Sequence, residues 1–246
     1  PGARGEDRLV LAGGLRLESP VGTFVAPNIS PDSEHGIGTW STLDVVNAVT
    51  RGISPTGVHY YPAFPWTSYR HMTLEDAVDL AAYLGTLPPS ANDPGPSELA
   101  FPFDIRRGLG LWQRFALAGE PPAPLRTDPE VERGAYLVVA LGHCGECHTP
   151  RTALMTLDDA RWLAGAPSLE GDGTVPNITP SPDGIGRWSA SDIAYLLESG
   201  FTPDFDSVGG TMGSVVENWS AVPAADRQAV AAYLKAIPPL PDAPAR

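Results

Sequence analysis

Apolar residues recur at helical spacing in several short stretches rather than in long runs. Ser41-x-x-Asp44 and Ser189-x-x-Asp192 have the form of helix-opening caps, and each leads into apolar positions three and four apart. Farther along, Leu80, Tyr83, Leu84 and Leu87 share one face of a predicted helix, and Val230, Tyr233, Leu234 and Ile237 share the same face of another. The Pro-Pro pairs at 88–89 and 238–239 end these helices. A further helix is predicted to open at Asp128, with Pro129 in its first turn, and to end at Gly142. Gly134 inside it would let another helix cross closely. Nothing approaches the run of about eighteen apolar residues that a membrane span requires, so no transmembrane segment is predicted. The fold class is mainly α, built of short helices and ordered loops.

The elements come in two copies. Leu11-Ala12-Gly13 recurs as Leu163-Ala164-Gly165, and Pro27-Asn28-Ile29-Ser30-Pro31 as Pro176-Asn177-Ile178-Thr179-Pro180. Gly36-Ile37-Gly38-x-Trp40-Ser41 recurs as Gly184-Ile185-Gly186-x-Trp188-Ser189, and Ala81-Ala82-Tyr83-Leu84 as Ala231-Ala232-Tyr233-Leu234. The offsets are 152, 149, 148 and 150, so the copies align almost without gaps. Two long copies mean a duplicated domain rather than a solenoid. The expected boundaries are 1–89 for domain 1, 90–127 for a Pro-rich linker and 128–246 for domain 2. Within the linker, the apolar stretch from Phe101 to Leu117, with Trp112, is read as a strap that buries against the body and includes at most one helix.

Composition adds less. The 27 prolines and 26 glycines fit the many turns. The formal charge of −13 argues against nucleic acid as a partner and suits either docking to a basic patch on a protein or solubility alone. Pro1–Asp7 does not read as a signal peptide, so any export signal is expected upstream of residue 1.

Both cysteines fall in Cys144-Gly145-Glu146-Cys147-His148, the attachment sequence for haem c. Two thiols three residues apart at a helix end can reach both vinyl groups on one edge of a porphyrin. The residue after them then lies beneath the iron, and the His148 imidazole becomes the proximal ligand. A redox dithiol would expect a strand before the first Cys and leave His148 without a role, and zinc would need more ligands than the chain offers nearby. The sixth position is assigned to Met212, after Gly209-Gly210 in a loop before the closing helix, because Met155 lies too close to the motif. His143 is read as a surface or propionate-side residue.

The first copy has no Cys. The repeat offset would place its counterpart of His148 just before Pro1, so a second attachment motif is expected upstream of residue 1. For that haem Phe64 cannot bind iron. Met72 leads His71 as distal candidate, His59 ligates or hydrogen-bonds, and His35 sits in a solvated turn. Asn28, Asn177, Trp40 and Trp188 occupy matching positions, where they meet haem propionates or lock loops.

Ala26-Pro-Asn-Ile-Ser-Pro-Asp32, Gly36-Ile-Gly-Thr-Trp40, Tyr61-Pro-Ala-Phe-Pro65, Arg133-Gly-Ala-Tyr136 and Gly142-His-Cys-Gly-Glu-Cys-His-Thr-Pro150 together resemble the multihaem cytochrome c subunits of bacterial periplasmic dehydrogenases. The resemblance covers nearly the whole chain. It implies two tandem class I cytochrome c-like domains, each with one covalent haem c, and a methionine ligand at Met212. It also implies a periplasmic or outward-facing location, in a complex that is soluble or membrane-associated. The expected function is electron relay from a dehydrogenase catalytic subunit, or another redox protein, towards quinone, oxidase or a further cytochrome, with no substrate chemistry. The chain departs from the family pattern at Phe64, where many relatives have methionine, and in lacking a third haem domain. A peroxidase-like dihaem enzyme with an open iron, and a structural cytochrome of a larger assembly, are the alternatives.

Overall fold

The computed structural model describes residues 8–117, 128–168 and 173–244. It is mostly helical, and its backbone separates into two compact units that part between Phe115 and Ala116.

Unit 1 opens with two short strands, β1 (Arg16–Ser19) and β2 (Gly22–Val25), paired antiparallel with Arg16 opposite Val25. Helices α1 (Thr42–Arg51), α2 (Trp66–Tyr69) and α3 (Leu74–Leu84) follow. Ser41 caps α1 as its sequence foretold: its hydroxyl accepts from Asp44 N while Asp44 accepts from Ser41 N at 2.9 Å. Gly52 closes the helix at φ 62°, where a side chain would be strained. Val45, Val49, Leu84 and Leu87 form the unit's buried cluster, with Trp40, Tyr69, Met72 and Leu80 packed against it.

The stretch read as a linker belongs largely to this unit. Strand β3 (Glu98–Leu99) pairs with β2, and α4 (Arg107–Ala116) buries Leu109 and lies against His59 at Gly110. Residues 118–127 of that stretch lie outside the described residues. Tyr83 also departs from expectation. Periodicity puts it on the apolar face of α3, yet it is 53% exposed, whereas its counterpart Tyr233 is 0% exposed. In unit 2 a crossing helix covers that tyrosine; among the described residues of unit 1 none does.

Unit 2 begins with α5 (Pro129–Tyr136), which runs on through a π-helical turn at Leu137–Leu141, then the single-turn α6 (Gly145–His148). The short strands β4 (Ala166–Pro167) and β5 (Thr174–Val175) pair with each other, and α7 (Ala190–Ser199), α8 (Gly210–Trp219) and α9 (Ala224–Ala236) complete the unit. The Ser189 and Asp192 capping box opens α7 as Ser41 and Asp44 open α1. Helix α5 crosses α9 at Gly134, where a Cβ would stand 1.9 Å from the Ala229 carbonyl oxygen. That approach lets Val138, Leu163, Val230, Tyr233 and Leu234 join one apolar cluster. The recurrent Gly-Ile-Gly has a similar cause: a Cβ at Gly36 or Gly184 would fall 2.2 or 2.5 Å from the carbonyl oxygen of Ser30 or Thr179. Among the described residues no helix is long and apolar enough to cross a membrane.

Candidate functional site

The site grows from the end of α5. Asp128 accepts a hydrogen bond from Glu130 N at 2.9 Å, and Pro129 stands where a helix has no use for an N–H. The helix and its π turn carry the chain to Gly142, with Val138 and Ala140 fully buried. Cys144 N donates back to Val138 O at 3.0 Å, and His148 N to Cys144 O at 2.9 Å, so the five-residue motif folds as one turn directly on the helix end.

The motif's glycine is packed from above. A Cβ at Gly145 would lie 2.3 Å from two ring carbons of Trp162, which is 2% exposed and donates through Nε1 to the Tyr233 hydroxyl at 2.9 Å. Burial pushes the Tyr233 hydroxyl up to about 12. Glu146, also buried, forms an ion pair with Arg151, which donates to the Glu146 carbonyl oxygen as well (3.1 Å). That pair closes the turn after the motif.

His148 is 9% exposed, and its Nδ1 lies 2.8 Å from the Pro176 carbonyl oxygen. A carbonyl can only accept, so the pairing puts the proton on Nδ1 and leaves Nε2 with its lone pair. Burial holds the imidazole below its ordinary pKa, against the opposing pull of the Pro176 bond. The ring is therefore neutral at neutral pH, with one nitrogen oriented and the other available: the arrangement of a metal-bound histidine.

The Pro176 carbonyl is itself held in place. The next residue, Asn177, is buried; its Oδ1 accepts from Thr179 N at 2.8 Å and its Nδ2 donates to Leu240 O at 2.9 Å and Asp242 Oδ1 at 3.2 Å. Asn28 repeats the device, accepting from Ser30 N and donating to Ser90 O and Asn92 O. Both amides are occupied in locking loops. Trp188 and Trp40 are half-buried and pack on the clusters of their own units. Lys235 Nζ holds the Trp188 loop through the Trp188 and Gly186 carbonyls (2.8 and 3.2 Å).

The two thiols differ. Cys147 is exposed, whereas burial pushes the Cys144 thiol up to about 12. A nucleophilic dithiol needs the opposite, a lowered thiol pKa. Among the described residues no group of three or more His, Cys, Asp and Glu could hold a metal ion, which gives a zinc site no support. A neutral imidazole, two cysteines outside any disulfide and an apolar floor do fit a covalently attached haem.

Met212 lies on the first turn of α8, not in a loop, because the helix starts at Gly210 behind Gly209. It is half-buried and packs on the same apolar cluster that Cys144 borders. The far end of α8 is clamped by Arg227, 6% exposed, which donates to the Trp219, Ser220 and Val222 carbonyls and to Glu198. His143 is half-buried at φ 39°, its pKa lowered by burial, and Met155 is 54% exposed.

In unit 1 the Phe64 ring leans on Tyr69 with centroids 5.6 Å apart. His35 is exposed and its backbone N donates to Asp32. The His59 ring rests against Gly110, and its buried Nδ1 has no hydrogen-bond partner among the described residues. Pro176, Trp162 and Arg227 escaped the sequence reading. The duplicated Pro-Asn-Ile drew attention to the Asn side chain rather than to the preceding carbonyl. A buried Arg that serves three carbonyls leaves no pattern in the chain.

No family model matches the chain. It is 56% identical over 240 residues, 97% of its length and 79% of the relative's, to a protein of Cereibacter sphaeroides named diheme cytochrome c-type. It is 38% identical over 238 residues to the fructose dehydrogenase cytochrome subunit of Gluconobacter japonicus, covering 95% of this chain and 49% of the relative. With the alcohol dehydrogenase (quinone), cytochrome c subunit of Gluconacetobacter polyoxogenes it shares 42% identity over 245 residues, covering 94% and 51%. The chain thus spans about half the length of these two dehydrogenase subunits.

Proposed function

Because the chain belongs to the cytochrome c family that includes a dihaem protein and the cytochrome subunits of fructose and alcohol dehydrogenases, we propose that it relays electrons from a dehydrogenase catalytic subunit towards quinone, oxidase or another cytochrome. The family implies covalently bound haem c, and its cytochrome subunits are electron-transfer components rather than catalytic ones. In unit 2 Cys144 and Cys147 would form the thioethers, His148 would be the proximal iron ligand and Met212 the distal one. The name of the Cereibacter sphaeroides relative supports a count of two haems.

Bound haem supplies one-electron chemistry between ferric and ferrous iron. The chain's own part is positioning. Pro176 keeps the His148 proton on Nδ1, Trp162 holds the motif against the core, and Arg227 fixes the helix that presents Met212. The periplasm, or the outer face of the cytoplasmic membrane, is the proposed location.

The observation that carries this reading is the buried His148 ring, oriented through Nδ1 and reached from the same helix turn as both thiols. Haem staining after denaturing electrophoresis tests the attachment: the pigment should stay with the wild-type chain, and a C144S/C147S double variant should keep only the haem of unit 1, at half the stain per chain. Pigment that acid-acetone extracts from the wild type would end the proposal. Reduction of the purified protein by a sugar or alcohol dehydrogenase, followed at the haem band, tests the relay.

A further inference from the structure

The two units repeat one another down to their backbone hydrogen bonds. Tyr60 N donates to Gly52 O at 2.7 Å as Val208 N does to Gly200 O at 2.9 Å, and the Ile53–His59 bridge matches Phe201–Ser207. These pairs differ by 148 in number. Past them, Arg70 N to Trp66 O and Met72 N to Tyr69 O, both 2.9 Å, match Ser220 N to Val216 O and Val222 N to Trp219 O, at 2.8 and 3.1 Å. Those pairs differ by 150. The counterpart of Met212 is therefore confined to Tyr61-Pro62-Ala63-Phe64-Pro65, between the two matched stretches.

That segment holds no thioether and no imidazole. The Tyr61 hydroxyl donates to the Phe103 carbonyl, and the Phe64 ring leans on Tyr69. Met72, the one methionine of unit 1, stands where Val222 stands, and each packs against the apolar cluster of its own unit.

We infer that the two units ligate iron unequally: unit 2 offers the Met212 sulfur, whereas unit 1 offers no thioether at the matching position, and Met72 stands in the register of Val222, away from it. The inference rests on the dihaem reading above. A methionine ligand raises the reduction potential, so unit 1 is the lower-potential centre. With a reduced dehydrogenase cofactor as one-electron donor and an oxidised quinone or redox protein as acceptor, an electron shared between two such haems would rest on that of unit 2 rather than on that of unit 1.

The test uses the full-length holoprotein and three readouts: haems per chain by pyridine haemochrome, the weak far-red methionine-to-iron band of the oxidised form, and a spectroelectrochemical titration. The expected result is two haems, a far-red band of one-haem intensity and two resolved waves. Met212→Leu abolishes the band and lowers the upper wave, while Met72→Leu leaves band and waves in place. A band of two-haem intensity that falls by half in Met72→Leu overturns the inference and leaves the dihaem reading standing. One haem per chain overturns both.

Discussion

Replacing Gly134 by Ala sets two effects of opposite sign against each other. On helix propensity alone, Ala in place of Gly inside α5 is worth about 1 kcal/mol of added stability. Packing opposes it, since the new Cβ would stand 1.9 Å from the Ala229 carbonyl oxygen, 2.6 Å from its carbon and 2.8 Å from Tyr233 Cβ. The first two are backbone atoms of α9 and cannot rotate aside, so α5 and α9 must separate by more than an ångström. Overpacking of this kind costs about 1–3 kcal/mol, and more where backbone has to move. Parting the helices also loosens Val138, Val230 and Tyr233, all under 3% exposed. Packing wins: a cost at the upper end of that range, about 3 kcal/mol, less the gain of about 1 leaves an expected net loss of about 2 kcal/mol. Because a chain of two compact units need not melt in one step, the assay is amide hydrogen exchange of α5 and α9 as well as denaturant melting. Gly108, exposed on α4 with nothing within 4 Å of its Cβ position, is the control. There Ala should gain up to about 1 kcal/mol. A G134A protein as protected as wild type would refute the close-crossing argument.

Other perturbations probe the remaining contacts. G145A drives a methyl into the Trp162 ring and should cost about 1–3 kcal/mol while lowering haem content per chain, measured by melting and haemochrome. R227M strands the three carbonyls at the end of α8 and should destabilise by about 2–4 kcal/mol, with exchange protection lost first in α8. Asp226 has its carboxyl held below the usual range chiefly by its hydrogen bond with Arg133. A depressed folded value means stability that is complete above the unfolded carboxylate value of about 3.9 and lost as pH falls through the folded one. D226N should therefore flatten the acid limb of the stability curve, and an unchanged limb would count against that pair.

Much of this architecture could be read from the chain because both copies carry the same local chemistry. The Ser41–Asp44 and Ser189–Asp192 boxes, Gly134 and the helix from Asp128 to Gly142 depend on near neighbours in sequence or on one missing side chain. What escaped depends on distant partners. The hydrogen-bonding edge of β2 meets Glu98–Leu99 more than seventy residues on, so the proline-rich stretch read as a strap with at most one helix also supplies a strand to a sheet. Paired glycines suggest a loop at Met212, yet Gly209 only precedes the helix and Thr211 to Trp219 continue it. The face of α3 looked buried at Tyr83 because periodicity reports which side is apolar and not whether a neighbour covers it.

The lashing of Asn177 to Leu240 and Asp242 has a mechanical consequence. The strand of chain after α9 acts as a guy-rope on the carbonyl that steers the imidazole, so tension or slack at the tail is felt at the orientation of the His148 ring. Substitutions at 240–243 should therefore register first as a change in colour or midpoint, in a protein whose helices remain intact.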